Sequence, residues 1–235
     1  MPALREVAAM MGIAGRHTKQ QLIEQITAGL KRFEEYKKRK VDRYSRLDRL
    51  GNPGKEGITY LVRTRGQRDY AMKTFKRAKS VARLQEEARL QHMAATKGAA
   101  PKVVDVNTVA KTIVMEKMDR HLYDIMRDQK GNLTQTQQKQ ILAILEKLDA
   151  AKVFHNDSNI MNYMLRGREM YLIDYGMARE INANVVREFK TKTPNQDITI
   201  LGVVMKLKEL KCPASAYSVL KERLTQSQKE MLDIR

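Results

Sequence analysis

Apolar residues recur along this chain at two different spacings. Val81, Leu84, Ala88, Leu90 and Met93 fall at helical intervals between Ser80 and Thr96. Ile141, Leu142, Leu145 and Leu148 form one stripe between Thr134 and Ala151, with Thr134 placed as an N-cap. His121 to Asp128 reads as another helix. Between these, short β-prone runs are bounded by turn residues: Tyr44–Leu50, Ile58–Val62, Asp69–Phe75, Pro101–Val106 and Lys111–Glu116. Tyr163 to Asp174 is a hairpin turning at Gly167, and Asp197 to Leu207 a long buried helix. The remaining residues, up to Arg235, suffice for two further helices.

Residues 3–30 read as a helical hairpin broken at Gly12–Gly15. Leu4, Val7, Ala8 and Met11 recur at helical spacing, and Gly12 stands where a C-cap glycine would. Thr18 is placed to cap a second helix carrying Leu22, Ile23, Ile26 and Leu30. Residues 31–43 continue as a charged helix or linker with a basic run from Lys37 to Lys40. That run suits a phosphate contact, a nuclear address or a solvated helix end.

Composition narrows the class. Hydrophobic residues make up 42% of 235, enough for a packed core, and no run reaches the roughly 20 apolar residues of a membrane helix. With no apolar leader and a single cysteine, Cys212, an intracellular protein of cytoplasm or nucleus without a membrane partner is expected. The net charge of +18 attracts polyanions without choosing among nucleic acid, acidic headgroups, acidic tails and nucleotide.

The candidate chemistry lies in Val153–Tyr163 and Tyr171–Gly176. One loop carries Asp157 and Asn162, and Asp174 ends a short apolar strand. Oxygen-bearing side chains brought together in this way suit a hard cation such as magnesium. Upstream, Gly51, Gly54 and Gly57 form a loop whose backbone can approach phosphate closely, ahead of Lys73 in an apolar strand.

The spacing His155-x-Asp157-x4-Asn162, followed by Asp174-Tyr-Gly, resembles the catalytic loop and metal-binding turn of protein kinases. Ala71-Met72-Lys73 resembles the kinase strand that carries the ATP-binding lysine. The resemblance covers nearly everything after residue 44. It implies an α+β, two-lobed protein-kinase-like fold, with a five-stranded small lobe at 44–118 and a truncated, mainly helical large lobe at 119–235. A helical hairpin and basic linker occupy residues 1–43. It also implies ATP and Mg2+ as cofactors and a protein substrate phosphorylated on serine or threonine. Asp157 is then the catalytic base, Asn162 and Asp174 are the metal ligands, and Lys73 is the phosphate-binding lysine. Glu87, preferred over Glu86, fixes that lysine. Gly51, Gly54 and Gly57 cover the nucleotide, Met115 borders the adenine pocket, and Glu116 to Met118 is the hinge.

Three features depart from that pattern. Asn156 replaces the usual arginine of His-Arg-Asp, and Asn159 stands where serine/threonine kinases carry a lysine. No Ala-Pro-Glu follows Asp174, so the activation and peptide-docking segment is very short. Compact Rio-type kinases, and small-molecule kinases of the choline and aminoglycoside kind, share the missing lysine. The alternatives are therefore a small-molecule acceptor or a kinase fold retained for nucleic-acid binding or assembly. The short large lobe and strong basicity are similar to kinases carried by large DNA viruses, for which packaging in a virion is a further location. Leu4 to Ile26 resembles a SAP-type module. That likeness implies DNA or another polyanion as a partner, with Arg16 and Lys19 as phosphate contacts. A hairpin of this size also packs on a main domain or docks a protein.

Overall fold

The computed structural model describes Val7, Ile13, residues 17–41 and residues 43–234. The first helix of the expected N-terminal hairpin, its Gly12–Gly15 turn and Arg16 lie outside these residues. The chain divides into two compact units, one comprising residues up to Leu47 with Val62–Arg68, the other Asp48–Leu61 with Asp69 onwards.

In the first unit, helix α1 spans Lys19–Val41 without a break, so residues 31–41 are helix rather than linker. Its start is capped reciprocally: Gln21 N–H donates to Thr18 Oγ1 at 3.3 Å and Thr18 N–H to Gln21 Oε1 at 2.9 Å. Leu22 and Ile26 are buried with Ile13 packed against them, whereas Ile23 and Leu30 are exposed.

Strands β1 (Tyr44–Leu50), β2 (Gly57–Thr64) and β3 (Asp69–Phe75) follow, then helix α2 (Val81–Thr96), β4 (Val103–Asn107) and β5 (Thr112–Glu116). The strands form one five-stranded sheet in the order β1-β2-β3-β5-β4. β5 pairs antiparallel with β3, setting Lys73 opposite Ile113 and Ala71 opposite Met115. Because side chains alternate along a strand, Ala71 and Phe75 face the same side as Lys73. Ala71, Phe75, Ile113 and Met115 make one apolar cluster with Leu84 and Ala88 of α2. Ser80 caps α2, its hydroxyl accepting Arg83 N–H at 3.2 Å.

The C-terminal part is mainly helical. It comprises β6 (Arg120–His121), α3 (Leu122–Asp128), α4 (Gln135–Ala150), β7 (Val153–Phe154), β8 (Tyr163–Arg166), β9 (Glu169–Leu172), β10 (Arg179–Glu180), α5 (Ala183–Phe189), α6 (Ile200–Glu209) and α7 (Gln226–Met231). The fold is thus α+β, with a five-stranded sheet followed by a helical C-terminal part. Thr134 and Gln137 form a complete capping box at the start of α4. Ile141, Ile144, Leu145 and Leu148 of α4 enter the main core with Leu122, Val203, Val204 and Leu207.

The helix expected to open at Asp197 differs in form. Asn195–Thr199 is a π-helical turn, and α6 begins only at Ile200. Such turns are rare and accompany functional positions. This one redirects Asn195 inward and leaves Asp197 exposed, accepting hydrogen bonds from Thr191 and Thr193.

Candidate active site

β7 ends at Phe154 and hands the chain to an irregular loop whose geometry is fixed from inside. His155 is wholly buried, and its two ring nitrogens face backbone carbonyls: Nδ1 lies 3.1 Å from Asp157 O and Nε2 3.1 Å from Ile173 O. Ile173 N–H also donates to Asn162 O at 2.9 Å. These bonds tie the loop bearing Asp157 and Asn162 to the strand end bearing Asp174. Asn156 has φ +58° and Asp174 φ +67°. Asn and Asp tolerate this left-handed conformation better than bulky residues do.

Asp157 is half-buried, and both carboxylate oxygens are held. Oδ1 accepts Asn159 N–H at 3.0 Å and Oδ2 accepts Asn162 Nδ2 at 2.8 Å. Asn162 has its amide nitrogen committed in that bond, which leaves Oδ1 as its donor atom for a cation. Asn159 turns its amide oxygen to Met161 N–H at 3.1 Å, capping the short turn at Ile160–Asn162.

Lys73 sits between two carboxylates, 2.7 Å from Glu87 Oε1 and 2.6 Å from Asp174 Oδ1. Burial alone would depress its ammonium, but Glu87 and Asp174 outweigh that and raise it above 10.5. Burial likewise pushes the Asp174 carboxyl up, and Lys73 reverses the shift to leave it below 3.8. Glu87 lies on the inner face of α2, while Glu86 points outward to Arg89 at 2.8 Å.

The remaining expected residues do not all lie at this site. Gly57 is required sterically: a Cβ there would lie 2.3 Å from Thr74 O. Gly51 turns with φ +70°, and Gly54 N–H closes the loop onto Gly57 O at 2.9 Å. Met115 and Met118 are buried. Glu116 is half-buried, its carboxylate 2.9 Å from Arg166 and its N–H donating to Lys102 O at 3.0 Å. That N–H is therefore already used. Lys19 is exposed at the start of α1 in the other unit, and Arg16 lies outside the described residues.

Several residues here escape a reading of the sequence. Asn195 is fully buried beneath the loop. Its Oδ1 accepts His155 N–H at 3.1 Å, and its Nδ2 donates at 2.7 Å to both Asp149 Oδ1 and Val153 O. Asn195, and not the Asp197 with which the helix is expected to open, lies beneath the loop, and the π-helical turn brings it there. Lys79 and Glu56 belong to the ion cluster around Glu87, with Lys79 Nζ 2.9 Å from Glu87 Oε2 and 2.6 Å from Glu56 Oε2. The Gly54-Lys-Glu-Gly57 run is a signal for Glu56, since it sets a carboxylate inside the glycine-rich loop. Lys79 is one of three basic residues between Lys76 and Lys79 and carries no such signal.

Residues 56–193, more than half of the chain, match the model of the RIO domain. The chain belongs to the RIO family. RIO proteins are atypical, protein-kinase-like, ATP-binding phosphotransferases. The RIO match contains Glu56, Lys73, Lys79, Glu87, Asp157, Asn162 and Asp174. Residues 1–55 and 194–235 fall outside it. No curated protein matches the chain.

The donor set fits a divalent cation. Asn162 Oδ1 and the half-exposed Asp174 carboxylate are hard oxygen donors, too few to enclose an ion alone. Among the described residues no cluster of three His, Cys, Asp or Glu could hold a metal by itself. Such a site suits an ion that arrives with nucleotide phosphates as its other ligands.

Proposed function

We propose that this RIO protein transfers the γ-phosphoryl group of ATP to a serine or threonine hydroxyl of a protein substrate. One observation carries the reading. The Asp157 carboxylate is locked on both oxygens, on a loop tied through His155 to the strand that presents Asp174 to Lys73. In that arrangement Asp157 orients the acceptor hydroxyl and takes its proton. Lys73 binds the α- and β-phosphates. Asn162 and Asp174 would hold Mg2+, which when bound neutralises phosphate charge. Positioning and charge neutralisation account for most of the rate in this chemistry. A protein acceptor is favoured by two exposed apolar side chains at the site, Met161 in the loop between Asp157 and Asn162 and Met177 after Asp174.

The test is labelling by γ-labelled ATP and magnesium, with casein or a basic histone-like protein as acceptor. Label that disappears in Asp157→Ala and in Asp174→Ala supports the reading, and acid hydrolysis then identifies the residue. Asp157→Ala should lose on the order of 10²- to 10⁴-fold in kcat with ATP binding retained. Full activity in that variant removes Asp157 from the mechanism.

A second part of the proposal concerns targeting. The +18 charge and the SAP-like spacing of the N-terminal segment support binding of DNA through Arg16 and Lys19. Arg16→Ala and Lys19→Ala should each lower the slope of log affinity against log salt by about one. An unchanged slope in both variants excludes these two residues.

A further inference from the structure

Lys79 is the most buried lysine near the site, its side chain 4% exposed. A buried ammonium group needs partners in place of the water it has lost. Two carboxylates supply them. Glu87 gives one oxygen to Lys73 at 2.7 Å and the other to Lys79 at 2.9 Å. Lys79 continues to Glu56 at 2.6 Å, and Lys73 to Asp174 at 2.6 Å. Five charges therefore alternate in one chain: Glu56, Lys79, Glu87, Lys73, Asp174. The ring of Phe75 supports both ammonium groups, 5.1 Å from Lys73 Nζ and 5.2 Å from Lys79 Nζ.

The two ends of this chain differ mechanically. Lys79 is fixed through its backbone: Lys111 Nζ donates to Arg77 O and Lys79 O at 2.6 Å each, and Lys79 N–H to Lys76 O at 3.1 Å. Glu56 belongs to the glycine-rich loop, whose residues 51–55 are all exposed. Among the described residues the loop is also held by two backbone bonds, Gly54 N–H to Gly57 O and Lys76 N–H to Glu56 O, each 2.9 Å. The Glu56 carboxylate also reaches under the turn after Asp174, where a Cβ on Gly176 would lie 2.7 Å from Oε2. The Glu56 side chain thus ties the loop to Lys79 and lies against the Asp-Tyr-Gly turn.

We propose that Lys79 is a positioning residue of the phosphotransfer site. Through Glu56 it holds the glycine-rich loop at a fixed height over the nucleotide. Through Glu87 it keeps α2 engaged when Lys73 turns to the phosphates. This rests on the reading of the site as an ATP site, and it concerns a lysine that does not itself touch substrate.

The experiment uses the full chain with Glu56→Gln, Lys79→Met and the double variant. Glu56 is half exposed, so its amide substitution does not endanger folding and decides alone should Lys79→Met fail to fold. Two readouts are taken: amide hydrogen exchange over residues 51–57 without nucleotide, and the KM for ATP beside kcat. Each single variant should speed loop exchange about tenfold and raise KM for ATP about tenfold, with kcat within about threefold, as expected for loss of one charge-assisted bond. The double variant should be no worse than the worse single one, because both remove the same ion pair. Unchanged loop exchange in Glu56→Gln overturns the proposal whatever the nucleotide does. A loss confined to kcat also overturns it. Faster loop exchange in a chain whose wild type binds no ATP defeats the reading of the site, and the positioning role with it, leaving Lys79 as a brace.

Discussion

Asn195 accepts the main-chain N–H of His155 at 3.1 Å, beneath the loop that carries Asp157. The same side chain donates to Asp149 and Val153, and all of these groups lie away from water. Removing one partner leaves the others unsatisfied, which costs about 1–3 kcal/mol for each buried group. Asn195→Ala should therefore lower the free energy of unfolding by about 2–4 kcal/mol, read from urea denaturation. Asp197→Ala, at an exposed carboxylate, should change it by less than about 1 kcal/mol. Equal losses in the two variants would show that Asn195 supports the loop no more than Asp197 does.

Ser158 follows the proposed base, and its side chain lies directly over Gly202 of α6. A Cβ at Gly202 would fall 2.2 Å from Ser158 Oγ and 2.6 Å from its Cβ, so one of them must move. Overpacking of this kind costs about 1–3 kcal/mol. A displacement of about 1 Å at the neighbouring Asp157 can cost on the order of 10²-fold in rate. Gly202→Ala is expected to fold with phosphotransfer reduced by about that factor. Gly202→Ala with Ser158→Gly should recover most of the rate, since the clash is gone. A double variant no better than Gly202→Ala would show that the contact does not position the loop.

Burial holds the pKa of His155 below 6.5, outweighing the Asp157 and Ile173 carbonyls that favour its charged form. The folded chain thus keeps the ring neutral, while the unfolded chain takes up a proton near pH 6.5. Unfolding then absorbs a proton in acid. Stability from this group is fully present above about pH 6.5 and declines below it, by up to about 1.4 kcal/mol per pH unit. Urea denaturation of the nucleotide-free chain at pH 7.5 and 5.5 should show this loss, with a smaller difference in His155→Gln. The same pH difference in both proteins would sink the assignment.

The parts of the site that a sequence shows are those whose residue type and spacing are set by chemistry. Asp157, Asn162 and Asp174 lie on one continuous loop-hairpin stretch, so their meeting follows from local turns. The five strands and α2 are legible because period-2 runs and turn residues alternate cleanly there, with boundaries moving by one or two residues. Glu87 is legible through helical phase, since it shares a face with Leu84 and Leu90. Asn195 is not, because a π-helical turn breaks the phase by which a regular helix would set Asp197 inward. Lys79 is not either: its burial depends on partners 23 and 8 residues away, Glu56 and Glu87, and a basic run looks solvated until those carboxylates are in place.

Tyr175 stands directly behind Asp174, fully buried, with its ring edge-on to His155 at 4.8 Å between centroids. Its hydroxyl has no hydrogen-bond partner among the described residues, and the same holds for the buried hydroxyl of Tyr163. Burial pushes both phenols above 10. Neither hydroxyl ionises at neutral pH, so each is a neutral polar group desolvated without a compensating bond. An unsatisfied buried hydroxyl costs about 1–3 kcal/mol. Tyr175→Phe keeps the ring and its contact with His155 while deleting that group. It should unfold at higher urea, gaining about 1 kcal/mol, with phosphotransfer within a few-fold of wild type. A loss of stability would mean that the hydroxyl has a partner in solution, such as an enclosed water. In that case Tyr163→Phe beside Tyr175→Phe would show whether one water serves both, through a double variant costing no more than either alone.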